Sequence, residues 1–110
     1  MTPMEEYNFS LIRYIEVQRA WSGKTFGPGT RTLGIIEHIR KELKEIEDAP
    51  RDIEEWVDVM ILAFDGAWRA GYTPQDIATA LRWKQQTNFD RKWPDRATLR
   101  QDEATEHVRG

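Results

Sequence analysis

The sequence predicts an all-α fold of four helices, and three observations carry that expectation. Apolar residues recur at three- and four-residue steps through the middle of the chain, as they do on the buried face of a helix. No stretch shows the strict alternation of a half-buried strand. Pro and Gly fall where such helices would stop.

The first helix is expected from about Glu5 to Trp21, with Phe9, Leu11, Ile12, Ile15 and Val17 as an imperfect stripe. Ser22 to Thr30 holds three Gly and one Pro in nine residues and reads as a loop. The second helix starts near Thr30 or Thr32 and runs to about Asp48. Ile35, Ile36, Ile39, Leu43 and Ile46 mark its buried face, and Pro50 ends it. The third runs from about Asp52 to Ala70 on the stripe Ile53, Val57, Met60, Ile61, Phe64 and Trp68. Asp52 suits its N-cap and Gly71 the residue past its end. Thr73-Pro74-Gln75-Asp76 opens the fourth with an N-cap, a Pro at the first helical position and an acid two residues later. Ile77, Ala80, Leu81 and Lys84 carry it towards Asn88. Pro94 closes the ordered part, and the polar segment after Asp95 is expected to be frayed or helical only in part.

With 110 residues the chain is one domain, 1–110, with its core at about 5–94. A chain this short buries only about 60–70% of the surface its unfolded form exposes. All-α chains of that size gain stability by pairing with a copy of themselves. Five Trp and four Phe point to aromatic burial in a core, an interface or a base pocket. A net charge of −3 argues against a partner of polymeric nucleic acid. The absence of Cys excludes disulfides, zinc-thiolate sites and thiol nucleophiles. Met1 to Phe9 carries Glu5 and Glu6 and no apolar run, unlike a signal peptide. Val57 to Phe64, the longest strongly apolar stretch, is broken by Asp58 and too short to span a bilayer, so no membrane partner and a cytoplasmic location are expected.

The second and third helices each carry an acid-x-x-acid pair, Glu42 with Glu45 and Glu55 with Asp58. Residues three apart share a helix face. At about 100° per residue, Glu42 and Glu45 lie beside their apolar stripe, Asp58 flanks its own, and Glu55 lies further round. Two helices joined by a short Pro turn would bury their stripes and let these carboxylates converge in one groove. Two like unit charges about 4 Å apart repel by about 4 kcal/mol at an effective dielectric near 20, so such a groove calls for divalent cations or protons. All-oxygen donors favour Mg²⁺, or Mn²⁺ in its place, and Mg²⁺ bridges to phosphates. A carboxylate base beside the cation can activate water. Acids near Lys41 and Lys44 also suit an ordinary solvated helix face. Two such pairs on consecutive helices, each next to the core stripe, favour a site.

These residues resemble the metal motif of the MazG-like, all-α nucleoside triphosphate pyrophosphohydrolases, a superfamily that includes dimeric dUTPases and dCTP pyrophosphatases. Longer strings resemble its phage- and prophage-associated dATP/dGTP diphosphohydrolase branch, also called MazZ. They are Trp21-Ser22 with Thr25-Phe26-Gly27-Pro28-Gly29, His38-x-x-Lys41-Glu42-Leu43-x-x-Ile46, Glu55-Trp56-Val57-Asp58, the run Leu62 to Tyr72, and Lys84 to Trp93-Pro94. The likeness spans roughly Trp21 to Pro94. It implies a compact four-helix MazG-like bundle completed as a homodimer or as a homotetramer built from two dimers. It also implies the reaction (d)NTP + H₂O → (d)NMP + pyrophosphate, with dGTP and dATP as substrates and Mg²⁺ as cofactor. In some phages of this branch the reaction removes ordinary purine dNTPs and supplies dGMP for 2-aminoadenine DNA. Many MazG proteins open the first motif with a further Glu where this chain has Lys41, which leaves four carboxylates here. Two rival functions stay open: a broad housecleaning dNTP pyrophosphatase, and a helical nucleotide-binding or interaction module without turnover.

On this reading Glu42, Glu45, Glu55 and Asp58 bind the metal. Glu45 or Glu42, with Glu45 preferred, orients or deprotonates the attacking water. Lys84, Asn88 and Arg91 share one face near the end of the fourth helix. The resemblance puts the Lys and Asn beside phosphate, sugar or base, against an ordinary solvated face. Lys24 and Arg31, in or beside the Gly-rich loop, can meet phosphates. His38, four residues before Glu42, can pair with it, bind a phosphate oxygen or assist the water, and pairing is preferred. Asp65, seven residues after Asp58 on the same stripe, is spaced for a salt bridge with Arg69, which is preferred, or can support the metal ligands. Trp21 or Phe26 can stack on a purine or simply pack. Trp56, Trp68, Trp83 and Trp93 are assigned to a core or an interface.

Overall fold

A computed structural model of the chain describes residues 9–109. Four helices follow one another: α1 (Leu11–Phe26), α2 (Thr32–Asp48), α3 (Ile53–Arg69) and α4 (Pro74–Asp90), with a short 3-10 turn at Arg96–Thr98. There is no strand among the described residues. The chain divides into two compact units, Met1–Ala78 and Thr79–Gly110.

In the first unit α1 is capped by Ser10, whose hydroxyl accepts from the Arg13 amide at 3.3 Å. The part of the first helix expected before Phe9 lies outside the described residues. The other end departs from expectation: Ser22 to Phe26, read as loop, is the last part of α1, and Lys24 sits in its final turn. A Gly inside a helix costs roughly 1 kcal/mol against Ala. Tertiary contacts offset that here. The Ser22 hydroxyl is buried and donates to Asp65 at 2.8 Å, and Gly23 faces the Trp68 ring. The helix stops at Gly27, whose φ of 91° suits a residue without Cβ.

α2 and α3 are joined by only Ala49-Pro50-Arg51-Asp52, so they fold back as neighbours. Asp52 caps α3 by accepting from the Glu54 amide at 3.0 Å, and the Trp56 indole donates to the Pro50 carbonyl at 2.9 Å. α3 packs against both α2 and α1. Among the described residues the buried apolar core is Ile15, Ile35 and Ile77, with Ile15 completely covered. Much of the predicted stripes is therefore not core. Ile36 and Leu43 on α2, and Ile53, Val57 and Met60 on α3, stay exposed, with Ile53 at 70% and Met60 at 55%. Two helices meet along a narrow seam, and a stripe wider than the seam keeps an apolar flank in solvent. Trp56, Trp83 and Trp93 are likewise exposed and do not belong to this chain's core.

The interior holds a polar cluster. Asp65 and Arg69 form the expected salt bridge, with the Arg69 side chain only 1% exposed. Arg69 Nε donates to both Asp65 oxygens at 3.2 Å. Its Nη1 donates to the carbonyls of Gly27 at 2.9 Å and Gly29 at 3.0 Å. Its Nη2 donates to the Ser22 hydroxyl at 2.9 Å and carbonyl at 3.4 Å. The Trp68 indole donates to Gln18 Oε1 at 2.9 Å, and the Arg69 guanidinium lies 4.4 Å from the Trp68 ring centroid. Removing one partner of such a buried pair costs about 3–5 kcal/mol. Nearby, the buried Tyr14 hydroxyl has no hydrogen-bond partner among the described residues. Burial, then the Asp65 charge, pushes its pKa above the usual tyrosine value, which keeps it neutral.

The second unit is less frayed than its polarity suggests. The Trp93 indole donates to the Asn88 carbonyl at 2.7 Å and stacks edge-on against His107 with centroids 6.0 Å apart. The Val108 amide donates to the Lys92 carbonyl at 2.7 Å, and Asp95 caps the 3-10 turn.

At the start of α4 the Asp76 amide donates to the Thr73 hydroxyl and the Thr73 amide donates to Asp76, both at 3.0 Å. Thr73→Ala removes half of this reciprocal cap. It is expected to cost about 1 kcal/mol and to lower Tm by about 4–8 °C. A melt followed by circular dichroism checks this, and an unchanged Tm contradicts it.

Candidate metal and nucleotide site

The hairpin of α2 and α3 explains where the acids meet. Glu42 lies seven residues before Ala49, and Asp58 six residues after Asp52, so both stand at matching heights above the connection. Ligand oxygens of Glu42, Glu55 and Asp58 lie within 4.8 Å of one another. Glu55 has its pKa raised by partial burial and then by the charges of Glu45, Asp52, Glu42 and Asp58. Three carboxylates this close form an all-oxygen donor set that fits a hard divalent cation. Glu45 is not part of this group of three. It points into solvent nearer the turn, close enough for its charge to act on Glu55.

One turn before Glu42 on α2, His38 Nε2 approaches Glu42 Oε1 at 3.3 Å, the pairing expected from the spacing. A cavity of about 300 Å³ opens at Glu42 and Asp58. Arg31, Gly34, Ile35 and His38 line its α2 side, and Ile61, Leu62 and Asp65 its α3 side. Gln18, Trp21, Ser22 and Phe26 of α1 complete it. Trp21 and Phe26 meet edge to face at 5.5 Å, and the Arg31 guanidinium lies 5.3 Å from the Phe26 centroid. Seven residues of helix separate Asp58 from Asp65, about 10 Å at 1.5 Å per residue. The cavity thus joins a carboxylate end, an apolar middle and an aromatic side over a length suited to a phosphorylated base.

Six of the residues singled out from sequence, Trp21, Phe26, Arg31, His38, Glu42 and Asp58, line this one cavity, with Glu55 in the carboxylate group at its mouth. Lys24 is exposed on α1 and does not line it. Lys84 and Asn88 lie on α4 and Arg91 just beyond it, all within the second unit. Sequence reasoning passed over Gln18 and Ser22 as cavity residues, whereas Asp65, on the Asp58 stripe, lines the cavity and also makes its salt bridge. A signal for the first two existed: Ile15, Gln18 and Ser22 follow one helical face. Ending α1 at Trp21 hid it.

A family model described as dATP/dGTP pyrophosphohydrolase matches residues 14–110, nearly the whole chain. The chain belongs to the dATP/dGTP pyrophosphohydrolase family. No curated protein and no solved structure shows a significant match. In this dATP/dGTP pyrophosphohydrolase family member the matched span contains the carboxylate group and every residue that lines the cavity.

The raised pKa of Glu55 has a definite sign. A carboxyl that binds its proton more tightly when folded makes the metal-free fold lose stability as pH rises past the ordinary glutamate value of 4.5 and through the raised one. Glu55→Gln is therefore expected to raise Tm at neutral pH in chelator, and to shrink the further gain that Mg²⁺ produces. Melts of both proteins with chelator and with Mg²⁺ check this. Equal Tm values in chelator, or an undiminished Mg²⁺ gain, contradict it.

Proposed function

We propose that this chain is a Mg²⁺-dependent pyrophosphohydrolase that converts dGTP and dATP to the monophosphates and pyrophosphate, with Mn²⁺ able to replace Mg²⁺. The observation that carries the reading is the group Glu42, Glu55 and Asp58 at one end of an aromatic-walled cavity. These three hold the cation, and Glu45 joins them from the next turn of α2. When bound, the cation supplies stabilisation of charge on the phosphate oxygens.

Glu45, or Glu42 beside it, orients a water and takes its proton on a carboxylate oxygen. The water oxygen bonds to phosphorus, the anhydride bond between the first two phosphates breaks, and pyrophosphate leaves. His38 holds Glu42 in place and can donate to a phosphate oxygen. Trp21 and Phe26 offer a face to the purine, with Arg31 beside them. Lys84 and Asn88 are assigned to phosphate, sugar or base on family likeness, Arg91 with them as a neighbour on their face, and Lys24 to phosphate from its place beside the Gly-rich connection.

The exposed apolar flank of α2 and α3 supports assembly as a homodimer or homotetramer. No helix among the described residues is long and apolar enough to cross a membrane. We assign the chain to the cytoplasm, that of the host if a phage encodes it, with dGMP supply for 2-aminoadenine DNA as its role there.

Product analysis across the eight common NTPs and dNTPs tests the reading. Pyrophosphate and monophosphate are expected fastest from dGTP and dATP, and only with Mg²⁺ or Mn²⁺. A flat profile across bases would instead select broad housecleaning. Nucleotide binding with no product from any substrate would select a binding module. Glu45→Gln is expected to lower kcat by about 100-fold or more with Tm preserved. A full rate in that variant would remove Glu45 from the base role.

A further inference from the structure

Arg69 does more than neutralise Asp65. All five of its N–H groups are used, and two of them leave the helical framework to hold the Gly27 and Gly29 carbonyls. Those two glycines of the connection between α1 and α2 both have positive φ, 91° and 90°, with open space where a Cβ would stand. No packing holds that connection at the glycines themselves. It is flanked by Phe26 on one side and Arg31 on the other, and both line the cavity. Phe26 in turn is set by Trp21 at 5.5 Å and by the Arg31 guanidinium at 5.3 Å.

We propose that Arg69 is a positioning residue for nucleobase binding: it clasps the Gly27–Gly29 connection and so fixes Phe26 and Arg31 along the base end of the cavity. It touches no reacting atom, since it is buried behind Asp65 and Ser22. The inference rests on reading the cavity as a nucleotide pocket. Lys at this position keeps the charge, but it lacks the planar fork that reaches Asp65, Ser22 and two carbonyls together.

The test is steady-state pyrophosphate release from dGTP by the unaltered protein, Arg69→Lys, Phe26→Ala and the double variant. Backbone order parameters for residues 27–32 are measured alongside. Arg69→Lys is expected to raise KM about tenfold with kcat within about twofold, because the lost interaction binds rather than reacts. The double variant should fall well short of the product of the two single effects, since Arg69 acts in part through Phe26. Order parameters of residues 27–32 should fall from about 0.85 towards 0.6, with those of residues 42–58 unchanged. Gly29→Ala leaves the buried pair intact and strains the connection at its positive φ. It should raise KM in the same way and serves if Arg69→Lys does not fold. Turnover by the unaltered protein together with an unchanged KM in the variants overturns this inference alone. So do effects that multiply in the double variant, or a loss confined to kcat. Absence of turnover by the unaltered protein overturns the nucleotide reading, and this inference with it.

Discussion

Like charge held in a small space governs this protein. Glu42, Glu55 and Asp58 keep ligand oxygens within 4.8 Å of one another, although carboxylates left to themselves move apart. The backbone keeps their Cα positions close, because α2 and α3 are tied by a four-residue turn and packed against each other. Glu55 has a raised pKa, from partial burial first and then from the charges of four neighbouring acids. On the function proposed above, a cation would resolve that repulsion and offer free coordination positions to a triphosphate. The exposed side of the group matters as well, since ligand exchange needs solvent on one face.

A second constraint lies at the opposite end of the cavity. The Asp65–Arg69 pair is buried, which by itself is weak evidence for stability. Its value here is geometric. A single guanidinium joins α1, α3 and the glycine connection, adding directional bonds to the packing of α1 on α3. The small apolar core and the large polar clasp belong together. A chain of this length covers little of its apolar surface, and it uses directional bonds to fix one arrangement. The same shortage leaves Ile53, Val57 and Met60 uncovered.

Helices α2 and α3 were legible because their periods were strong and their stops were Pro50 and Gly71. The carboxylate group was legible because acid pairs three apart, at similar distances from one turn, must meet when the helices pair. The end of α1 was not. Three glycines and a proline between Ser22 and Thr30 are a loop by local chemistry, and only bonds to residues more than forty positions away hold Ser22 and Gly23 in the helix. The width of the core was not legible either. A periodic stripe reports which face is apolar, not how much of it a neighbour covers, so Ile36 and Met60 read as buried and are not. Glu45 illustrates a finer limit. Spacing placed it with Glu42 on one face, but one turn of difference decides which oxygen enters a group less than 5 Å across.

A crystal structure with Mn²⁺ and a non-hydrolysable dGTP analogue, with anomalous scattering recorded at the manganese edge, tests the central claim most directly. The account predicts a manganese peak bounded by oxygens of Glu42, Glu55 and Asp58, with phosphate oxygens completing its coordination and the purine towards Trp21 and Phe26. Manganese bound elsewhere, or those three carboxylates turned into separate regions of solvent with the analogue in place, would contradict it.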